Sequence, residues 1–303
     1  MPEAAALVPA AAIPDSAPAS GWGRFAQALA ASPTGLFGVG ILLVSVFVAI
    51  FGGAIAPHST VTQSVSDRFL GSVFTTGNWS HVLGCDNLGR DIFSRTLVGA
   101  RTSLIVGTVV VSIALVVGTL VGAVAGFFGG IVDALVMRVA DFQLSLPFIL
   151  VALVFMAVLG PGITSMMLAL STAIWVNYAR LVRGETLHLR GLEYIAAARS
   201  FGVSTPRIIL RHILPAVLPS VLVMATLDMA WVIIFEASLS FLGLGVQPPQ
   251  PSWGVMISEG RDYLHESAWM TLGPGLAIIL TATGLNLLGN FLRDLYDPRL
   301  VQR

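Results

Sequence analysis

The chain contains no lysine, a single cysteine and few charges of either sign. Without lysine it cannot carry the GxxxxGK[ST] phosphate-cradling run, so it supplies no nucleotide-binding loop of its own. One cysteine, Cys85, excludes an internal disulfide and any cysteine-cluster metal site. The five histidines, at 58, 81, 188, 212 and 265, form neither an HExxH motif nor an i, i+4 pair, so no metal site is expected from their spacing. Charged residues make up 11% of 303 positions, where soluble domains average about 25%. The 16 arginines balance 16 acids to zero formal charge, which leaves no basic footprint for nucleic acid. What the chain has instead is apolar bulk: 55% hydrophobic residues and a mean hydropathy of +0.86. It belongs in a lipid bilayer.

A helix crosses the ~30 Å hydrocarbon core with about 20 apolar residues. Stretches free of Asp, Glu and Arg run Phe25–Ser66, Thr102–Val132, Phe142–Ala179 and Ser267–Leu292, and a fifth, His212–Ser258, is broken only by Asp228 and Glu236. Phe142–Ala179 is long enough for two crossings, with Gly160-Pro161-Gly162 as the turn between them. The pattern predicts an all-α membrane protein of six transmembrane helices, near 36–56, 103–128, 135–159, 163–183, 217–243 and 271–292. Pro147 is expected to kink the third. Six crossings put both termini on one side. Arginine near helix ends favours the cytoplasm. With cytoplasmic termini, eleven arginines (Arg24, Arg138, six from Arg180 to Arg211, Arg293, Arg299, Arg303) fall inside and five (Arg68, Arg90, Arg95, Arg101, Arg261) outside. The domain reading is then a disordered cytoplasmic tail with a short amphipathic segment over 1–35 and a transmembrane domain over 36–303. That domain carries an outer loop at 57–101 and a cytoplasmic segment at 184–215. The Ala/Pro-rich first twenty residues lack the basic start of a signal peptide.

The cytoplasmic segment is organised beyond what a tether needs. Arg180–Pro215 holds six arginines against Glu185 and Glu193. Strong helix formers fill Leu192–Arg199, Gly202 sits where a helix ends, and Thr205-Pro206 opens a second helix expected to run into Pro215. Such an elbow either faces water as a connector or docks into a groove on a soluble partner. Elsewhere, Asp86, Arg90, Asp91 and Arg95 mix signs in an outer loop, read either as a charge-paired loop packed against a neighbouring subunit or the outer vestibule, or as a solvated salt-bridge patch. Asp228 and Glu236, about 12 Å apart along one helix, must face protein or water. Glu236 is the stronger candidate for a translocation path or gate, and Asp228 for a helix–helix hydrogen bond near the inner boundary. Arg138 and Asp141, three apart, suit an intrahelical pair or a cytoplasmic contact. Gly118, Gly122 and Gly126 let another helix approach closely, in this chain or in a sister subunit.

Ala196-Ala197-Ala198, Gly202 and His212-Ile213-Leu214-Pro215 resemble the EAA-x3-G-x9-I-x-L-P loop of ABC-importer permeases, with Ala196 in place of Glu and His212 in place of Ile. Three further stretches resemble the second permease subunit of dipeptide/oligopeptide importers. They are His81 to Arg95 (H-x-x-G-C-D-x-x-G-R-D-x-x-S-R, with Cys85 for the usual Thr), Glu236–Gly245 followed by Pro251-Ser252-Trp253-Gly254, and Leu292 to Leu300. The resemblance implies a type I importer permease in the cell membrane, bound to a sister permease, two ABC ATPases and an extracytoplasmic peptide-binding protein. It implies no cofactor on this chain, with ATP and Mg on the ATPases, and no catalysis by it. Glu193, Ala196, Ala197, Ala198, Gly202, His212, Leu214 and Pro215 would form the ATPase-coupling segment. Permeases for nickel or glutathione also resemble the chain. A reading from another class, an ion-coupled secondary transporter, would want two related halves with broken helices, and no internal repeat is evident. An intramembrane hydrolase built on Ser240 and His212 would need the two in hydrogen-bond reach, although they are expected about 30 Å apart.

Overall fold

The computed structural model describes residues 21–77 and 79–296. The first twenty residues, expected to be disordered, and Asp297–Leu300 of the C-terminal signature lie outside them. Among the described residues the fold is helical throughout, apart from one isolated antiparallel bridge between Cys85 and Asp91. In chain order the helices are α1 (Gly21–Ala31), α2 (Pro33–Ile55), α3 (Val73–Thr76), α4 (Ile92–Phe128), α5 (Gly130–Leu144) and α6 (Phe148–Leu159). They continue with α7 (Ile163–Leu189), α8 (Glu193–Ser200), α9 (Thr205–Ile208), α10 (Leu214–Phe241), α11 (Trp253–Gly260) and α12 (Trp269–Tyr296).

Local chemistry sets the boundaries. Ser32 caps α2 by accepting the Gly35 amide at 3.1 Å, with Pro33 in the first turn where its missing N–H costs nothing. Asp91 caps α4, its Oδ2 accepting the Ser94 amide at 2.7 Å. That cap starts α4 at Ile92 and not near 103: the apolar run marks the hydrocarbon, whereas the helix continues beyond it through Arg95 and Arg101. At 37 residues α4 is about 55 Å long. The expected third crossing is two helices, α5 and α6, bent by 90° at Ser145–Pro147. Pro147 thus breaks the segment where a kink was expected. The second helix of the elbow does not stop at Pro215. A π turn over Ile209–Ile213 carries α9 directly into α10, absorbing a residue whose nitrogen cannot donate to the preceding turn.

Helix α4 is the axis of the fold, packed against α7, α10 and α2, while α12 closes the bundle against α2 and α10. The α4–α7 contact is the most extensive. A Cβ on Gly122 would lie 2.4 Å from the Ala179 carbonyl oxygen and one on Gly118 2.4 Å from that of Trp175. The small-residue stripe therefore serves packing within this chain. The main core runs along α4, α7 and α10 and extends into the elbow through Ile195, Ile208 and Ile213, all at most 1% exposed. A second core joins α2, α4, α10 and α12 around Ala230, Ile233 and Trp253.

Large apolar side chains cover the outside of the bundle, including Phe37, Leu43 and Ile50 on α2 and Ile131, Leu135 and Val158 on α5 and α6. A soluble monomer does not tolerate such continuous apolar surface. The chain is a multi-pass membrane protein. Four helical segments, α2, α4, Thr205–Phe241 and α12, are long and apolar enough to cross a bilayer, and α5 with α6 makes a fifth if the bent pair is one span. Helix α7 is long enough but carries Arg180, Arg183 and Glu185 in its second half.

Candidate functional site: the elbow, two buried acids and a charge cluster

The elbow spans α8 to Pro215. Its corner is a Schellman closure: the Val203 amide donates to the Ala198 carbonyl at 3.1 Å and the Gly202 amide to that of Arg199 at 2.9 Å, with Gly202 at φ +75°. The inner face is anchored by Ile195 and half-buried Ala198. The outer face presents Glu193, Ala196, Ala197, Gly202 and Pro215 as exposed positions, with His212 and Leu214 half-buried. Tyr194, which packs toward the His212 ring at 6.3 Å, is 47% exposed. The most prominent group is one that motif reasoning passed over. Phe201, at the corner itself, is 88% exposed. Its signal in the sequence was a bulky aromatic directly before the corner glycine of a charged loop.

Two arginines, Arg190 at the end of α7 and Arg199 in the elbow, hold this region to the end of α4. Arg190 donates through Nη1 to the Gly126 and Phe127 carbonyls at 3.0 and 3.2 Å, satisfying oxygens the helix end leaves open. Arg199 lies 4.5 Å over the Phe127 ring. On α7, Arg183 pairs with Asp133 of α5, its Nη2 reaching Oδ2 at 2.6 Å, and Arg180 pairs with Asp141. Asp141 therefore binds across helices to Arg180, not to Arg138 one turn away.

The two acids of α10 have different surroundings. Glu236 is fully buried, and both oxygens are occupied: Oε1 accepts from Ser240 Oγ at 2.9 Å and Ser252 Oγ at 3.0 Å, and Oε2 from Ser103 Oγ at 3.0 Å. Ser103 lies on α4, and Ser252 caps α11 by accepting the Val255 amide at 3.2 Å. Glu236 is thus a joint among α4, α10 and α11, with no atom on an open surface. Asp228 is the acid that borders open space. It lines a cavity of about 780 Å³ with Leu181, Pro219, Trp231 and Arg293. Its Oδ2 is buried and faces the buried Tyr178 hydroxyl of α7, the two interacting across the helices outside regular hydrogen-bond geometry.

The mixed-sign loop is charge-paired and buried, not a solvated patch. Asp86, Arg90, Asp91 and Arg95 are each 5% exposed or less. Asp86 accepts from the Leu88 and Arg90 amides through Oδ1 and from Arg90 Nε and Arg95 Nη1 through Oδ2. A fourth partner, Glu259 of α11, accepts from Arg90 Nη2 at 3.0 Å and Arg95 Nη1 at 2.8 Å. Asp86 and Glu259 balance the two arginines, which is what permits the burial of Arg90 and Arg95, while Asp91 stands apart, against His81. Cys85 sits beside them, fully buried, and burial followed by the nearby Asp91, Asp67 and Asp86 pushes its thiol up to about 12.

Comparison with known proteins matches two family models. One, described as a binding-protein-dependent transport system inner membrane component, covers residues 118–302. The other, the N-terminal transmembrane domain of oligopeptide transport permease C, covers residues 20–71. The probable D,D-dipeptide transport system permease protein DdpC of Escherichia coli K12 is 37% identical over 89% of this chain and 89% of its own length. The dipeptide transport system permease protein DppC of Bacillus subtilis is 38% identical over 87% of this chain and 81% of its own length. The glutathione transport system permease protein GsiD of Shigella flexneri is 44% identical over 92% and 89%. Among solved structures, a chain of the MetNI methionine ABC transporter in inward-facing conformations shares the fold. It is similar at a TM-score of 0.53 and 19% identity, over 66% of this chain and 95% of that one.

Proposed function

The chain belongs to the family of binding-protein-dependent transport system inner membrane components, in its dipeptide/oligopeptide branch, and from that premise we propose how it works. It is the permease subunit of an ATP-driven importer that moves di- or oligopeptides into the cytoplasm by alternating access. The bundle crosses the inner membrane six times with cytoplasmic termini, counting α5–α6 as one broken span and the continuous α7 as a further span. This is supported by the eleven-to-five arginine asymmetry. A sister permease completes the path, two ATPase subunits hold ATP and Mg, and an extracytoplasmic binding protein delivers the peptide.

The observation that carries this reading is the elbow: a rigid, glycine-closed corner with an exposed aromatic tip, rooted in the main core and pinned to the end of α4. An exposed aromatic on a rigid support is the kind of anchor that dominates protein interfaces. Closure of the ATPase dimer displaces Phe201 and α8, and the core passes that displacement to α4, α7 and α10. Asp228, bordering the cavity, meets the cationic end of the peptide, while Glu236 holds α4, α10 and α11 together as they move. A second substrate reading, glutathione, is favoured by the 44% identity to the glutathione permease against 37–38% to the dipeptide permeases. Glutathione carries a peptide bond and both charged ends, so the same Asp228 contact serves it.

Cysteine placed at Phe201 or Ala197 in an otherwise cysteine-free chain tests the assignment. Crosslinking to the co-expressed ATPase that changes yield with ATP is expected. Labelling of these positions from the external medium, or failure of tagged ATPase to co-purify with the chain, would refute it. Uptake of labelled dipeptide and glutathione by the assembled complex decides between the substrates.

A further inference from the structure

The segment after α2 and the loop before α4 bring together three side chains that the family assignment leaves unused. His81 Nδ1 lies 2.9 Å from Asp91 Oδ1, and His58 Nδ1 lies 3.8 Å from Asp91 Oδ2. The two imidazoles stand face to face, centroids 4.3 Å apart and planes 30° from parallel. One ligating atom from each residue lies within 4.8 Å of the others. The side chains grade from the interior outward: Asp91 is 1% exposed, His81 15% and His58 40%. Sequence spacing concealed the group, because the residues come from two separate loops and a helix cap.

A second layer holds these donors in place. Asp91 Oδ2 is fixed by the Ser94 amide, and Ser94 Oγ in turn accepts the backbone N–H of His58 at 3.1 Å. One buried serine thus positions the carboxylate through its main chain and the outer histidine through its side chain. Supporting contacts of this kind orient ligands at metal centres.

We propose that His58, His81 and Asp91 bind one first-row divalent transition cation of the zinc class, with its remaining coordination position open to solvent beside His58. Two imidazole nitrogens and one carboxylate oxygen suit zinc, cobalt, nickel or copper, whereas magnesium and calcium want oxygen ligands throughout. Metal–ligand bonds of about 2.0–2.2 Å put tetrahedral ligands roughly 3.3–3.5 Å apart. The 2.9 Å His81–Asp91 hydrogen bond is shorter than that separation and the 3.8 Å His58–Asp91 pair longer, so a cation replaces the hydrogen bond between the inner two and draws in His58, the most exposed of the three. Occupation ties the segment after α2 to the first turn of α4 and stabilises the chain by mass action.

The test uses the complex purified from membranes with a histidine-free affinity tag, titrated with Co²⁺ and Zn²⁺ beside the His58→Ala variant. The partner subunits contribute the same background to both, so the difference between them is the signal. One equivalent per permease is expected, with visible Co²⁺ absorption displaced by Zn²⁺ and a rise in melting temperature that the variant lacks. His58→Ala should weaken binding at least about tenfold, and His58→Ala with His81→Ala should abolish it. Unfolding of each metal-free variant near the wild-type temperature shows that the fold survives. Wild-type binding weaker than about 100 µM, or the same equivalent retained in the double variant, overturns the proposal.

Discussion

Replacing Gly202 by valine isolates the elbow's corner from everything around it. The residue holds φ +75°, and a Cβ placed there would meet nothing within 4 Å, so substitution adds no clash. The cost is conformational alone. An L-residue in the left-handed region loses about 1–2 kcal/mol, and a β-branched one lies at the upper end. That shifts the balance between closed and opened corner by about 5- to 30-fold. The core contacts of Ile195, Ile208 and Ile213 are untouched, so membrane insertion and protein level should match wild type. In proteoliposomes containing the whole transporter and its binding protein, substrate moved per ATP hydrolysed should fall in the same 5- to 30-fold range. Asparagine tolerates the left-handed conformation, so Gly202→Asn should keep most of the coupling. A valine variant with wild-type stoichiometry would refute the reasoning. So would an asparagine variant as impaired as valine, because the effect would then not be backbone strain.

Other perturbations have equally definite outcomes. Glu236→Ala strips three buried serine hydroxyls of their acceptor and should lower stability by about 2–4 kcal/mol in detergent melts. Glu236→Gln should recover at least half of that, and an alanine variant that melts like wild type would remove the joint assigned to this carboxylate. Gly122→Val drives a Cβ against the Ala179 backbone and should largely remove the chain from membranes, whereas Gly53→Ala, with open space around it, should leave its level unchanged. Immunoblots of membrane fractions distinguish the two. Cys85 should resist maleimide at pH 8 until the chain is denatured, being buried with its thiol pushed up to about 12. The folded chain keeps that proton where the unfolded chain, near the ordinary value of 9.0, loses it. The contribution to stability is therefore full below pH 9 and declines between pH 9 and 12, a slope that Cys85→Ser should abolish in pH-dependent melts.

What the sequence disclosed and what it withheld divide along physical lines. Apolar runs reveal hydrocarbon thickness, so the four long spans and the α5–α6 segment were legible, but they do not reveal helix ends. Helix α4 therefore begins eleven residues before the expected boundary, where Asp91 supplies a cap. Local turn chemistry was legible as well, since Gly202 and Thr205-Pro206 mark the corner by conformational preference alone. Long-range pairing was not. Glu259 completes the charge cluster from 164 residues beyond Arg95, and nothing near either residue announces the other. The contrast between Asp228 and Glu236 also depends on tertiary neighbours. The sequence favoured Glu236 for the path and Asp228 for a helix contact, and only the arrival of Ser103 and Ser252 from elsewhere in the chain encloses Glu236 and leaves Asp228 at the cavity.

The unbroken length of α4 has a mechanical consequence. Its two tightest approaches to a neighbour, at Gly118 and Gly122, centre on Leu120, eight residues from its last residue and twenty-eight from its first. Taken as a fulcrum, that point divides the rod into arms of about 12 and 42 Å. An ångström of movement where Arg190 and Arg199 grip the short arm becomes a sweep of about 3.5 Å at the far tip, beside the arginine–carboxylate quartet.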